Sequence, residues 1–360
     1  MYPFQSSRAF LTQQWYPVAW STEVGGSILE RTVLGEPVVL YRKQAGDVAA
    51  LHGICPHRML PLSQGTVRGD ALICAYHGFT FNGQGHCVRI PTQDNVPTNY
   101  CVRSYSVRES GEMIWLWTGR PEDAVDTAVP NVQAIGMGST GWAMSGRSHI
   151  RLRARWALLM DNLFDLSHIG WVHARTIGAT LERDADGVAK LVLEPAVLEE
   201  QHERLVVARS MKNIPVDAFH RFLHPAAEDR IDVDLFTDML SPAVINAGSR
   251  TYESGTQRCL GNLNFIHLIT PETSSSCHYF GVVTRDFRTD DDALASALGA
   301  QDNAVRAEDQ AVLEAIEPHA DRLGDCHREL SARADAGSLR IRRALDAMLE
   351  DELRLELSCA

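Results

Sequence analysis

Nowhere in the 360 residues is there a run of 18 or so apolar side chains, the length a spanning helix needs, so no membrane segment is expected. The opening stretch MYPFQSSRAFLTQQWYPVAW also lacks a basic patch followed by an apolar core. That excludes an ordinary export signal there and predicts a cytoplasmic protein. Basic residues are in the minority, 34 Lys+Arg against 46 Asp+Glu for a net charge of -12, with no basic run. A phosphate-tracking surface needs the opposite balance, so nucleic acid is not an expected partner. Cysteine is sparse too: eight in a chain of this length, without an export signal, are too few for a disulfide framework. They read as free thiols or metal ligands.

What the chain does have is 45% apolar residues and enough length for two domains with real cores. From about Glu36 to Trp117 it reads as short strands and turns: PVVLYRK, VAALHGIC, ALICAY, GFTFNGQGHCVRI with a hairpin-type turn at Asn82-Gly83, and CVRSYSVRESGEMIWLW. The polar TGRPEDAVDTAVPN has no periodicity. The expected division is therefore an all-β domain over residues 1–120, a linker over 121–130, and a second domain over 131–360. The second domain mixes a helix over Trp156 to His173, strand-like runs (LVLEPAVL, RLVVARSM, LNFIHLIT, CHYFGVV) and helices after Asp290 and near the C-terminus. That pattern predicts an α+β domain, an antiparallel sheet with helices on one side.

Two loops carry metal-ligand spacing: Cys55-Pro56-His57 and Cys74-Ala75-Tyr76-His77. Two thiolates and two imidazoles suit either tetrahedral zinc or a Rieske [2Fe-2S] cluster, with both Cys on one iron and both His on the other. Zinc fingers usually pair Cys with Cys and His with His along the chain. Here each loop offers one of each, which favours the cluster.

CPHRMLPLSQG and CAYHGFTF resemble the two cluster-binding boxes of Rieske proteins. The whole chain resembles the oxygenase component of Rieske non-haem iron oxygenases, in the branch of vanillate O-demethylase and dicamba monooxygenase. The resemblance implies Cys55, His57, Cys74 and His77 as cluster ligands, a second centre of mononuclear Fe(II), and O₂ as cosubstrate. It implies electrons from NAD(P)H through a separate flavin-dependent reductase, with or without a ferredoxin, and a head-to-tail homotrimer. The reaction implied is hydroxylation, or oxidative removal of an O- or N-linked alkyl group, on a small substituted aromatic. Ring dihydroxylation is the alternative within the class, and a Rieske electron carrier or a zinc-stapled module are the alternatives outside it.

Asp161 to His173, DNLFDLSHIGWVH, places an Asp, an Asn and two His in an otherwise apolar helical stretch, where polar groups need a reason. It resembles the family's mononuclear-iron box, which implies His168 and His173 as ligands. Residues five apart stand about 140° apart on a regular helix and cannot meet one ion. A π-bulge, bend or break is expected near Ser167 to Gly170.

A facial triad needs a carboxylate. On the candidate helix 298–317, Val305, Val312, Leu313 and Ile316 define an apolar face; Asp309 lies about 20° from its centre and Glu308 about 80° away. The resemblance also implies Asp309, with Asp302 as its rival. Asp165, three residues before His168, is positioned to accept that imidazole's second N–H, the usual outer arrangement. In the family the matching Asp links an iron His to a cluster His of a neighbouring subunit, which implies a relay from His77 of one chain to Asp165 and His168 of the next. Asn162 is expected beside it. Asn246 and His267 match polar pocket residues of the dicamba monooxygenase branch; otherwise they are a turn Asn and a strand His. Cys277-His278 and Cys326-His327 read as packing or surface.

Overall fold

The structure is a computed structural model that describes residues 10–180, 184–187, 197–201, 204–323 and 329–359. The chain forms two compact units. Thr12–Val129 and Thr270–Ser274 make the smaller; Pro130–Ile269 and Ser275 onward, with Phe10 and Leu11, make the larger. Leu11 is fully buried in the larger unit's core, so a cut by residue number misplaces it.

The smaller unit is all β. Its strands are β1 (Trp15–Trp20), β2 (Leu29–Val33), β3 (Glu36–Arg42), β4 (Val48–His52), β5 (Thr66–Arg68), β6 (Ala71–Ile73), β7 (Thr80–Phe81), β8 (Cys87–Arg89), β9 (Ser104–Tyr105), β10 (Val107–Ser110) and β11 (Met113–Trp117). They pair into three sheets, in the orders β1-β11-β10, β2-β3-β4-β9 and β5-β6-β7-β8. Strand β3 is buried on both faces, so successive side chains enter different cores. Val38 and Leu40 join Ala50, Ile114 and Leu116, while Val39 and Tyr41 join Leu51, Leu72, Phe81 and the two cysteines Cys55 and Cys74. The metal-spacing loops thus stand on a packed core. The turn after β7 is longer than a two-residue hairpin: Asn82 accepts from the N–H of Gln84 and of His86. The left-handed residue is Gly85, not Gly83.

The larger unit is built on one antiparallel sheet of β12 (Ala143–Leu152), β13 (Val197–Gln201), β14 (Arg204–Pro215), β15 (Arg230–Ser241), β16 (Val244–Glu253), β17 (Cys259–Thr273) and β18 (Ser276–Arg285). The order is β12-β18-β17-β16-β15-β14-β13. LVLEPAVL lies mostly outside the described residues, with only its end in β13. Helices α1 (Trp156–Phe164), α2 (Ala218–Leu223), α3 (Asp292–Leu323) and α4 (Ala336–Cys359) pack on one face. There α1, Leu313 and the α4 residues Ile341, Leu345 and Leu349 meet Ile245, Ile269 and Tyr279; Leu223, Leu294 and Leu298 meet Leu263 and Val283. Among the described residues, no helix is long and apolar enough to cross a membrane.

Two expectations about helices need correction. The helix does not run from Trp156 to His173: α1 stops at Phe164, Asp165 is extended (φ -98°, ψ 96°), and a 3₁₀ turn follows over Leu166–Gly170. The break falls just before the expected place because the Asp165 carboxylate caps the new turn by accepting from the Ser167 N–H at 2.8 Å. On α3 the buried stripe is Leu294, Leu298, Asp302, Arg306, Asp309, Leu313 and Glu317. Ile316, expected on the inner face, is 40% exposed.

Candidate metal centres

The two metal-spacing loops have the same backbone pattern. In each, the cysteine carbonyl accepts from the N–H four residues on (Met59 and Gly78, both 3.0 Å), and the cysteine N–H donates to the carbonyl five residues on (Leu60 at 3.0 Å, Phe79 at 2.9 Å). The fourth residue after each cysteine is left-handed, Met59 at φ 56° and Gly78 at φ 72°. At the second loop only glycine fits, since a Cβ on Gly78 would meet Pro91 Cγ at 2.8 Å. Cys55 and Cys74 are buried and their thiols adjoin; burial, with Cys74 alongside, pushes the Cys55 thiol up. Two buried thiols in contact suit a cation that takes both as thiolates. His57 and His77 stand exposed, ring centroids 4.6 Å apart. These four residues do not form a group of ligand atoms within 4.8 Å of one another, as tetrahedral zinc would require. They form a buried sulfur pair and an outer imidazole pair, the donor arrangement of a two-iron Rieske cluster.

The second set does converge. Among the described residues, His168, His173 and Asp309 have ligand atoms within 4.8 Å of one another. His168 Nε2 and His173 Nε2 are 3.2 Å apart, and Asp309 Oδ1 lies 3.2 Å from His173 Nε2 and 3.6 Å from His168 Nε2. Adjacent ligands of one metal at bonds of about 2.1 Å stand roughly 3 Å apart, so one ion fits this triangle with open positions opposite it. The break at Asp165 turns the two imidazoles together. Burial lowers His168 below the ordinary imidazole range against the pull of Asp309. Burial also pulls His173 down, but the Asp309 and Glu308 carboxylates outweigh it and raise it.

The surroundings fix each of these three side chains. Asn162 Nδ2 donates to Asp309 Oδ1 at 3.2 Å, which puts Asn162 at the site. His173 Nδ1 meets Glu308 Oε2 at 2.8 Å, and Thr176 Oγ1 donates to the same oxygen at 2.7 Å. Sequence reasoning set Glu308 aside because it lies off the inner face of α3; its adjacency to Asp309 was the signal. His168 Nδ1 bonds the main-chain carbonyl of Asp165, not its carboxylate, which corrects the expected contact. Glu308→Ala is expected to weaken Fe(II) affinity about 10- to 100-fold, read by chelator competition; unchanged affinity would remove Glu308 from the site.

Asp302 is not near the triad. It pairs with Arg306 at 2.7 Å, both buried. Asn246 and His267 are not brought together either: Ile245 pairs with His267 and Asn246 with Ile266, so alternation sends the two side chains to opposite faces of the sheet. Asn246 bonds Asn264 at 3.2 Å, while His267 bonds Tyr279 at 2.6 Å and lies on the helix-covered face. Cys277 and His278 are buried, His278 against His149, and Cys326-His327 lies outside the described residues.

Residues 14–105 match the Rieske [2Fe-2S] domain family, and residues 152–351 match the vanillate O-demethylase oxygenase C-terminal domain family. The chain belongs to the Rieske non-haem iron oxygenases, as an oxygenase component of the vanillate O-demethylase type. It is 32% identical over 359 residues to the toluene-4-sulfonate monooxygenase system iron-sulfur subunit TsaM1 of Comamonas testosteroni, covering 95% of this chain and 98% of that one. It is 33% identical to the dicamba O-demethylase oxygenase component of Stenotrophomonas maltophilia, covering 86% and 88% of the two chains. A crystal structure of dicamba monooxygenase bound to dicamba superposes with a TM-score of 0.81 at 28% identity, covering 96% of this chain and 99% of that one.

Proposed function

We propose that this protein is the terminal oxygenase of a multicomponent monooxygenase that hydroxylates, or oxidatively removes an O- or N-linked alkyl group from, a small substituted aromatic. The observation that carries the reading is one chain holding both a buried Cys pair with an outer His pair and a His-His-Asp triangle with edges of 3.2, 3.2 and 3.6 Å. When bound, the cluster supplies single electrons and the Fe(II) supplies O₂ activation. In this reading Cys55, Cys74, His57 and His77 hold the cluster, and His168, His173 and Asp309 hold the iron. Asn162 orients Asp309, and Glu308 orients His173 and sets which ring nitrogen faces the ion.

The electron donor is a flavin-dependent reductase oxidising NAD(P)H in the cytoplasm, directly or through a ferredoxin. In this reading the smaller unit, Thr12–Val129 with Thr270–Ser274, serves electron transfer and the larger unit serves catalysis, in place of the expected division into residues 1–120, a linker over 121–130, and 131–360. The working form is a homotrimer in which His77 of one copy passes electrons by way of Asp165 to His168 of the next. Its support is that His57 and His77 face solvent, while Asp165 and His168 line an open cleft of about 410 Å³.

Metal analysis tests the assignment. The purified chain should hold about three irons and two inorganic sulfides, with one iron removed by mild chelation. Only two irons, resistant to chelation, would reduce it to an electron carrier; a colourless zinc protein would reject both sites. Light scattering should return the mass of three chains.

A further inference from the structure

Past His173 the chain does not leave the triangle. Residues 174–180 turn back toward it, ending in a 3₁₀ turn over Ile177–Thr180. The His173 carbonyl accepts two main-chain bonds from this segment, from the Thr176 N–H at 3.0 Å and the Gly178 N–H at 2.8 Å. His168 is tied down in the same manner: its carbonyl accepts from the Trp171 N–H at 2.9 Å and the Val172 N–H at 2.8 Å. The two imidazoles therefore ride on consecutive turns.

Gly178 is buried where those turns meet. A Cβ built on it would stand 2.4 Å from the Ile169 carbonyl oxygen, 2.8 Å from the His173 carbonyl oxygen and 3.0 Å from the His173 carbonyl carbon. Ile169 directly follows His168, so one glycine lies against the main chain beside both imidazoles. Main-chain atoms cannot swing aside as the end of a long side chain can. Any side chain at 178 must push the two turns apart, and only glycine permits the approach.

Thr176 braces the same imidazole through its ring. Its Oγ1 donates at 2.7 Å to Glu308 Oε2, the oxygen that meets His173 Nδ1 at 2.8 Å. A carboxylate oxygen takes both donors at once. The Glu308 side chain is 25% exposed, so water competes for that oxygen and a second protein donor holds it in place.

We propose that Thr176 and Gly178 are positioning residues for the iron centre: Gly178 fixes the spacing of the turns that carry His168 and His173, and Thr176 keeps Glu308 on His173 Nδ1. Neither would touch the ion. Both roles rest on the assignment of His168, His173 and Asp309 to iron above, and they extend the centre past the box that ends at His173.

Fe(II) affinity, read by chelator competition on the purified full chain, is the first measurement. Gly178→Ala should weaken it about tenfold or more and change the EPR line shape of the Fe(II) protein exposed to nitric oxide, while the cluster keeps about two irons. Thr176→Val keeps the shape and loses the hydroxyl; it should weaken Fe(II) about tenfold, and Thr176→Ser should restore affinity to within about twofold. In a Glu308→Ala background Thr176→Val should add less than about twofold, because Thr176 acts through Glu308, whereas Gly178→Ala should keep its full effect. Hydrogen exchange in the unaltered protein covers the case in which Gly178→Ala does not fold. If the braced turns favour iron, iron favours the braced turns, so chelating the mononuclear iron should speed exchange in peptides spanning 174–180 about tenfold. Unchanged affinity and line shape in folded Gly178→Ala, a full Thr176→Val loss in the Glu308→Ala background, Thr176→Ser as weak as Thr176→Val, or exchange indifferent to iron would each overturn the placement. No chelatable iron in the unaltered protein would overturn the iron assignment and this placement with it; chelatable iron with unchanged variants overturns this placement alone.

Discussion

Asp309→Ala is expected to yield a red-brown chain that keeps the about two irons of the cluster, loses the chelatable one, and forms no oxygenated product. Outer partners of metal ligands are worth 10- to 100-fold, so removing Asp309, which we propose as a direct ligand, should cost roughly a thousandfold or more in turnover. The reason is geometric. Without Oδ1, the 3.2 Å and 3.6 Å edges of the triangle vanish, leaving two imidazoles 3.2 Å apart. His173 remains held by Glu308, and Arg155 still binds Glu317 on α3 at 2.6 Å, so the helix should stay docked. Asp302→Asn is the contrast, because Asn still accepts from Arg306 Nε and leaves the triangle intact. It should retain about three irons. Iron retained in the first variant and lost in the second would transfer the ligand role to Asp302.

Asp165→Asn is expected to keep both metal centres yet lower NAD(P)H-coupled turnover about 10- to 100-fold. The structure makes this substitution unusually clean. The carboxylate accepts from the Ser167 N–H, which an Asn side chain does as well. The contact to His168 runs through the main-chain carbonyl and is untouched. What changes is the negative charge beside His168. Single turnover of prereduced protein, mixed with O₂ and substrate, should leave the reduced-cluster signal long-lived while product per chain falls. Full activity would take Asp165 out of the electron path.

The cluster boxes were legible because their chemistry is local: ligand type and spacing sit within one loop, and each loop folds on its own backbone hydrogen bonds. The need for a break before His173 was legible from helix geometry, but its place was not. The helix stops at Asp165 because that side chain caps the next turn, and local capping competes with helix continuation. Glu308 was passed over because a hydrophobic-face argument ranks residues by burial against apolar neighbours, whereas Glu308 is there to meet His173 Nδ1.

The face of α3 is where tertiary structure overruled the pattern. Four residues of its buried stripe, Asp302, Arg306, Asp309 and Glu317, are charged; the apolar pattern places Asp309 near the inner face but gives no reason for the burial of Arg306 and Glu317. Each is matched from elsewhere or along the helix: Asp302 by Arg306, Glu317 by Arg155, Asp309 by the two imidazoles. Likewise Asn246 and His267 look equivalent along the chain, and only the register of β16 on β17 sends them to opposite faces.

So the scarcity of cysteine, of basic residues and of apolar runs, together with two short boxes, determined by itself that this is a metal-dependent protein of two chemistries. The boxes did so because ligand identity and loop spacing are properties of contiguous residues. Which carboxylate closes the triangle, which groups hold the imidazoles, and which face His267 looks onto were decided by the fold. The carboxylate contacts to the two imidazoles join residues more than 100 positions apart, 135 between His173 and Glu308, whereas the facing of His267 is set by the register of β16 on β17. Periodicity places Asp309 on the inner face, but which partner arrives there from another element is not a property of the helix's own sequence.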